Sequence, residues 1–322
     1  MNHPAVWRLA QQALEAGSPA ALLYVVHSEG SSPGRPGFAM CVTAETSAGS
    51  IGGGLMEHRF LGEVRQALAQ GPRFLQRQVH DADAAEDRSG MICSGEQTFC
   101  CVPLGAGDLP VVRALASNQG SGVVVLGPGG LGFRPDDALP ARHRFTPGAA
   151  WSYEEDLGRR PRLHVVGGGH CALALCQLAS GLDFDITVYD DRDELPTFEA
   201  NAWARRVKVP DYSVMGQLIV PGEDQYVCVM TFGAKTDDVA LRSLLMNDYG
   251  FLGALGSRAK LDTMLGAYTA EGWDPARLRR LHAPLGLPIH SHTPAEIAVS
   301  IAAQLIRSRN DPARTAATRS LS

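Results

Sequence analysis

The sequence lacks any long hydrophobic run. Its longest apolar stretches, such as VVVLG and YVCVM, fall far short of the ~20 residues that cross a bilayer as a helix. The first residues, MNHPAVWRLAQQALEAG, contain neither the basic region nor the apolar region of a signal peptide. We therefore expect a soluble, cytoplasmic protein that has no membrane partner.

The sequence also has no excess of positive charge. Lys and Arg number 29 against 34 Asp and Glu, which gives a net charge of −5, whereas nucleic-acid-binding domains carry clustered basic residues. We therefore expect no nucleic-acid partner. A small phosphorylated ligand is compatible with this charge, because a local set of backbone amides is enough to bind it.

No Cys-x-x-Cys pair occurs among the seven cysteines, so the sequence gives little support to a structural zinc site. An odd number of cysteines without small-scaffold spacing also argues against a disulfide framework. Cys93 differs from the others because it lies between a polar acidic segment and the small residues Ser94 and Gly95. Amide dipoles there could lower the pKa of its thiol. We predict that Cys93 is a reactive thiol, and an inert turn cysteine is the alternative.

The length of 322 residues favours two domains over one. Between 127 and 160 the sequence is rich in Gly and Pro and has no sustained hydrophobic period, which is typical of a boundary. We predict a mixed α/β domain over 1–148, with linker residues within 127–160. Alternating strand and helix patterns then predict a Rossmann-like, doubly wound parallel sheet over 160–309, followed by a flexible tail over 310–322.

A dinucleotide-type turn begins the second domain. Gly167, Gly169 and Ala172 follow a predicted strand and precede a predicted helix, and small residues there let a pyrophosphate approach the start of the helix. Asp190 lies 21 residues beyond Gly169 (190 − 169), near the ~20 expected for an acid that bonds a ribose hydroxyl. His170 could face a phosphate or cap the helix. The alternative is a turn that has kept this geometry without a ligand.

Three segments of the first domain, GSSPGRPG, GSIGGG and GMICSGE, each combine glycines with a polar or nucleophilic side chain. Successive backbone amides in such turns form anion-binding concavities, and an arginine fork suits phosphate. A surface turn is the alternative for each segment, and Glu57, after the triple glycine, could instead anchor its loop. The candidate ligand-binding residues are Ser31, Ser32, Arg35, Gly52, Gly53, Gly54 and Glu57.

Together, GSSPGRPG, GSIGGGLMEHRFL and GMICSGEQTF resemble three signatures of the XdhC/CoxI family, the maturation factors of xanthine and carbon monoxide dehydrogenases. Two C-terminal segments, FLGALGSRAKLDTM and LHAPLGLPIHSHTPAEIAVSIAAQLI, are also similar to sequences of that family. The chain departs from the pattern at Cys93–Gly95, which reads CSG in place of CGG. It departs again at Phe232, Gly233 and Ala234, where a THD-like triad is expected.

The resemblance implies a chaperone that binds molybdenum cofactor (molybdopterin), supports its sulfuration and delivers it to a xanthine dehydrogenase-type molybdenum hydroxylase. That hydroxylase would be a partner, and a cysteine desulfurase would be a second one. In this role Cys93 would be a ligand on the molybdenum side or a sulfur relay. The resemblance favours a maturation factor over a turnover enzyme.

Two other functions stay open from the sequence. One is an NAD(P)-dependent oxidoreductase that uses the C-terminal turn, with His170, Lys235 or Asp237 as a proton relay. The other is a scaffold that docks a molybdoenzyme without binding a ligand. We expect the functional site between the two domains, since a doubly wound sheet binds ligands at the carboxyl ends of its strands. A homodimer could instead bring the glycine segments of one chain to the crevice of another.

Overall fold

The computed structural model describes residues 3–71, 73–79, 95–117, 122–139, 141–158 and 160–310. Contacts between Cα atoms divide the chain into two compact units, Met1–Arg159 and Arg160–Ser322. Within the described residues, no helix combines the length and the apolar character needed to cross a membrane.

The N-terminal unit contains a five-stranded antiparallel sheet in the order β3-β2-β1-β5-β4. The central strand alternates its side chains between two hydrophobic cores, so that Leu22 and Tyr24 pack with the first helix and Leu23 and Val25 pack with the second. The elements of this part are α1 (Pro4–Glu15), β1 (Ala20–Gly30), β2 (Ala39–Thr43), β3 (Ser47–Gly49), α2 (Gly54–Ala67), β4 (Phe74–Val79), β5 (Gly95–Leu104) and α3 (Leu109–Ala116).

A second antiparallel sheet completes the N-terminal unit, in the order β7-β6-β9-β8. Its strands are β6 (Gly122–Gly127), β7 (Gly130–Pro135), β8 (His143–Thr146) and β9 (Ser152–Asp156). Three of these strands occupy the stretch whose composition predicted linker residues. They are held there because Phe133, Phe145 and Trp151 pack on the core that also contains Leu22 and Tyr24, a burial that glycine and proline content alone does not show.

The C-terminal unit is a six-stranded parallel sheet with helices on both faces, which confirms the predicted Rossmann-like fold. Its order, β12-β11-β10-β13-β14-β15, is the order 3-2-1-4-5-6 of a doubly wound dinucleotide-binding sheet. The elements are β10 (Arg162–Val166), α4 (His170–Ala179), β11 (Asp185–Asp190), α5 (Pro196–Glu199), β12 (Arg205–Lys208), α6 (Met215–Leu218), β13 (Gly222–Val229), α7 (Ala234–Leu244), β14 (Tyr249–Ala254), α8 (Arg258–Ala270), α9 (Pro275–Arg279), β15 (Leu281–His282) and α10 (Pro294–Arg309).

The start of α10 shows how local sequence fixes an element. Thr293 is the N-cap, and its hydroxyl accepts a hydrogen bond from the Glu296 amide at 3.3 Å. The Glu296 carboxylate accepts one in return from the Thr293 amide at 3.0 Å. This capping box, with Pro294 in the first turn, is the arrangement that the segment TPAE predicts.

Candidate functional site

The first two glycine segments of the N-terminal unit, and Gly95 of the third, meet at one end of β1 and β5. A Cβ atom on Gly52 would lie 2.7 Å from the backbone nitrogen of Gly34, and one on Gly95 would lie 2.5 Å from the carbonyl carbon of Ser31. Such separations do not occur between real Cβ atoms and backbone, so these positions admit only glycine while the loops hold this packing. At Gly52 the backbone therefore approaches another loop of the same chain.

The other two glycines of the triple are different. Gly53 and Gly54 both have φ of 75°, and no described atom lies within 4 Å of the position that a Cβ on Gly53 would take. Gly54 is exposed and begins α2. The first amides of a helix lack partners within the helix and carry its positive dipole end. The space beside Gly53 at the start of α2 is therefore open, whereas Gly52 is packed.

Glu57 organises the triple-glycine loop through one carboxylate oxygen. Its Oε2 accepts hydrogen bonds from the Ser50 hydroxyl at 2.7 Å and from the Ile51 and Gly53 amides at 2.9 Å each. Three donors on a single oxygen fix the path of the chain into α2. Of the two roles that the sequence left open for Glu57, these contacts show the anchoring one.

Gln97 joins two of the segments, and sequence reasoning missed it. The side chain is fully buried. Its Oε1 accepts a hydrogen bond from the Gly34 amide at 2.8 Å, and its Nε2 donates to Met56 Sδ at 3.4 Å. The signal for it was a single amide side chain in the mostly apolar strand segment QTFCCV, since a buried polar group needs hydrogen-bond partners.

The first loop presents the other predicted residues at its surface. Ser31 and Arg35 are exposed and Ser32 is half-buried. The Ser32 hydroxyl donates to the Gly34 carbonyl at 2.7 Å, and Arg35 Nη1 donates to the Gly30 carbonyl at 3.1 Å. That bond uses one of the five N–H groups of Arg35, so the guanidinium can still bind an anion.

A cluster with metal-ligand atoms lies on the neighbouring strand ends. The ligand atoms of His27, Glu29 and Glu96 all lie within 4.8 Å of one another, because Glu29 and Glu96 are register partners across β1 and β5. Glu96 is already paired with Arg77, whose side-chain hydrogen bond lowers the pKa of that carboxyl. The sequence signal was the His-x-Glu spacing, which places both side chains on one face of a strand.

Cys93, predicted as the reactive thiol and as a possible molybdenum-side ligand, lies outside the described residues, and its assignment stays a prediction. The thiols of the described cysteines have raised pKa values, whereas an activated thiol has a lowered one. Burial raises the pKa of Cys41 and Cys101 to about 12 and the pKa of Cys176 to about 11. It also raises the pKa of Cys100, Cys171 and Cys228. Protonated, buried thiols are poor nucleophiles.

The predicted turn of the C-terminal unit connects β10 to α4. Gly167 has φ of 108°, and a Cβ there would lie 2.7 Å from the carbonyl carbon of Met230 at the end of β13. Gly169 is the N-cap of α4, with no described atom within 4 Å of its would-be Cβ. Ala172 is buried, whereas His170 is exposed. The turn thus has a packed side and an open side.

Asp190, at the end of β11, braces this turn from below. Its carboxylate accepts hydrogen bonds from the Gly168 amide at 2.6 Å and from three Arg192 groups, the amide and Nε at 2.9 Å and Nη2 at 2.8 Å. Burial acts to raise the pKa of Asp190, but these hydrogen bonds outweigh it and leave the pKa below its ordinary value. All four recorded bonds are internal to the chain, and the bond to a ribose hydroxyl stays a prediction.

A second ionic group lies at the carboxyl end of β13. Asp237 is buried, accepts hydrogen bonds from the Thr231 amide at 3.0 Å and the Thr231 hydroxyl at 2.6 Å, and pairs with Lys260. Of the groups predicted as a proton relay, Asp237 is therefore held by its neighbours, whereas His170 and Lys235 are exposed. The contacts of Asp237 hold the start of α7 in place.

Family models match both units of the chain. The model described as XdhC and CoxI family matches residues 13–78, and the model described as XdhC Rossmann domain matches residues 163–305. Among curated proteins the chain is similar to Uncharacterized protein YqeB of Escherichia coli (strain K12), at 27% identity over 300 residues. The match covers 92% of this chain and 45% of that protein, so the chain spans about half the length of this relative.

Among solved structures, the chain is similar to a protein of Bacillus halodurans that is described as a xanthine dehydrogenase. The TM-score is 0.68 and the identity 21%, over 95% of this chain and 96% of that one. At this level of identity the likeness shows a common fold.

Proposed function

Because the chain belongs to the XdhC/CoxI family, we propose that it is a maturation factor for a xanthine dehydrogenase-type molybdenum hydroxylase. In this role it binds molybdenum cofactor as cargo, supports the sulfuration of the cofactor and delivers it to that partner enzyme.

The observation that carries the proposal is the convergence of the family-like glycine segments in space. They are separated along the sequence, yet Gly52 packs against the backbone of Gly34, and Gly95 packs against the backbone of Ser31. The buried Gln97 and the anchoring Glu57 hold them in place. Turns that only reverse the chain need no such contacts. Ligand sites are commonly built from loops that a rigid scaffold positions.

The chemistry of this surface fits molybdopterin. The phosphate of the cofactor suits the exposed guanidinium of Arg35. The Ile51 and Gly53 amides before α2 already bond the Glu57 carboxylate, so we assign the phosphate to Arg35. The surface hydroxyl of Ser31 can donate to or accept from a pterin edge. The cofactor would supply the molybdenum centre, and this chain would supply the hydrogen bonds that hold and shield it.

Cys93 extends the proposal to sulfuration. The cysteine precedes Gly95 by two residues in the sequence, and Gly95 contacts the first loop. The described cysteines have raised pKa values, so Cys93 is the thiol that we assign to the molybdenum side or to a sulfur relay with a cysteine desulfurase.

The test begins with freshly purified full-length protein, in which we expect bound molybdenum and pterin fluorescence. Arg35→Ala should lower the pterin content by about tenfold, since a charge-assisted bond to phosphate is lost. Arg59→Ala is the matched control, because Arg59 is an exposed arginine on α2 that pairs with Glu63; it should retain the pterin. Client activation assayed beside binding separates a cofactor chaperone from a docking scaffold. Activation by wild type without any bound pterin would show the scaffold, and equal pterin in all three proteins would reject the site.

A further inference from the structure

We propose that the carboxyl edge of the C-terminal sheet binds a nucleotide that carries a phosphate on its adenosine ribose, and that Arg192 is the residue that binds this phosphate. The inference concerns the Rossmann unit, and it does not depend on the molybdenum cofactor proposal.

The strand order places the candidate crevice. The order reverses between β10 and β13, and an open α/β sheet binds its ligand outside the carboxyl ends of the strands at that point. The glycine turn lies there. Gly167 is packed against Met230, whereas the position above Gly169, at the start of α4, is open. A pyrophosphate can therefore approach the helix start from the open side.

Asp190, the acid at the end of β11, is not available to a ribose diol. Asp190 is fully buried, and both of its oxygens accept hydrogen bonds from Gly168 or Arg192. The next residue, Asp191, lies near the buried Tyr212, whose pKa is raised first by burial and then by the charges of Asp190 and Asp191. Binding a ribose diol through Asp190 would require breaking its bonds to the turn.

Arg192 is held beside the end of β11 by two neighbours. Its Nε and Nη2 donate to the two oxygens of Asp190 at 2.9 and 2.8 Å. Its guanidinium carbon lies 4.9 Å from the centre of the Phe232 ring, which is 60% exposed. The guanidinium is thus held on one edge by a carboxylate and on one face by an aromatic ring. Among the described residues, no partner is recorded for Nη1, so the outer edge of the fork is available to a ligand.

A fixed guanidinium selects for an anion. It only donates hydrogen bonds and always carries its charge, so a phosphate forms a bidentate, charge-assisted pair with it, whereas a neutral diol does not. An arginine near this strand end is also how doubly wound sheets accommodate a ribose 2′-phosphate. The Phe232 ring beside it offers a stacking surface for the attached adenine.

The test compares ligands that differ only in that phosphate, using calorimetry on the full-length protein. Adenosine 2′,5′-bisphosphate should bind about tenfold or more tightly than adenosine 5′-monophosphate, and NADPH about tenfold or more tightly than NADH. Equal affinities within either pair, or no binding by any of the four, would overturn the proposal. Because the four ligands are tested on wild type, this outcome does not depend on whether any variant folds.

Variants then test the residue. Arg192→Lys keeps the charge and loses the fork, so the preference for the phosphorylated ligands should fall at least about threefold. In the double variant with Asp190→Asn and Arg192→Gln no buried carboxylate is left without its cation, and the preference should vanish. Arg205 is an exposed arginine at the amino end of β12. Arg205→Lys should leave the preference for the phosphorylated ligands unchanged. If Arg192→Lys and the double variant both keep the full preference for the phosphorylated ligands, a group other than Arg192 binds the phosphate. Failure here would leave the pterin result at the N-terminal loops unaffected.

Discussion

Each unit of the chain contains a glycine turn that leads into a helix and is braced by a carboxylate. In the N-terminal unit Glu57 accepts bonds from the triple-glycine loop, and in the C-terminal unit Asp190 accepts one from Gly168. The difference is the charge that accompanies the acid. Glu57 is half-buried and binds only uncharged donors in the recorded contacts, whereas Asp190 is fully buried and paired with Arg192. The acid of the first turn is therefore balanced by uncharged donors alone, and the acid of the second turn by an amide and a fixed cation.

The comparison also separates two uses of glycine within each turn. Gly52 and Gly167 approach backbone of a distant segment, whereas Gly53 and Gly169 have open space where a side chain would be. The first use is required for folding, and the second leaves room for a ligand. A glycine-rich motif by itself does not say which glycine has which use.

The largest expected effect is on the packed glycines. Gly52→Ala and Gly167→Ala should each destabilise their unit by about 3 kcal/mol, because a Cβ would overlap backbone at a positive φ. In a heating scan this corresponds to a Tm lower by about 6 °C or more. Gly169→Ala, at an extended backbone position with open space, should change stability by less than about 0.5 kcal/mol.

Gly53→Ala should fall between these values, at about 1–2 kcal/mol, because only backbone strain opposes it. If Gly52→Ala and Gly169→Ala lower the Tm of the wild type by the same amount, packed and open glycines do not differ in their effect on stability.

The second effect distinguishes the two braces. Asp190→Asn should cost about 3 kcal/mol, because it leaves the half-buried Arg192 without its buried partner. Glu57→Gln should cost about 1 kcal/mol, since an amide oxygen can still accept from uncharged donors. Thermal unfolding of both variants, compared with wild type, gives the two losses. A larger loss for Glu57→Gln would reverse the comparison.

The third effect is the pH dependence of the same brace. Because the folded-state pKa of Asp190 lies below its ordinary value, its contribution is fully present above the unfolded pKa of about 3.9 and is lost as the pH falls through the folded value. The Tm difference between wild type and Asp190→Asn should therefore be constant from about pH 7 to pH 5 and shrink below about pH 4. A difference that stays constant down to about pH 2 would mean that protonation of Asp190 does not weaken its bonds to Gly168 and Arg192.

The smallest effect on stability is expected at Cys93. Cys93→Ser should change stability by less than about 0.5 kcal/mol, because the two side chains differ by one atom of similar size. We expect it to remove the fast-reacting thiol in alkylation of the native protein. The buried cysteines, such as Cys41 and Cys176, serve as internal controls because burial raises the pKa of both. A fast reaction that persists in Cys93→Ser would place the reactive thiol elsewhere.

The sequence by itself determined the features that short-range physics fixes. The capping box of α10 follows from hydroxyl and carboxylate groups three residues apart. The parallel sheet of the C-terminal unit follows from repeated strand and helix patterns with short connections. The turn between β10 and α4 follows from the spacing of Gly167, Gly169 and Ala172. In each case the residues that interact, or the period that sorts them, lie within one local window.

Only the tertiary structure decided which groups are left for a ligand. Gly52 packs against Gly34, and the side chain of Gln97 on β5 accepts a hydrogen bond from the Gly34 amide. Asp190 accepts hydrogen bonds from the turn and from Arg192, a role that its spacing from Gly169 does not indicate. The stretch from 130 to 156 forms strands because its few aromatic side chains reach a core built by residues about a hundred positions earlier. These outcomes depend on contacts between segments far apart in the chain, and no local pattern contains that information.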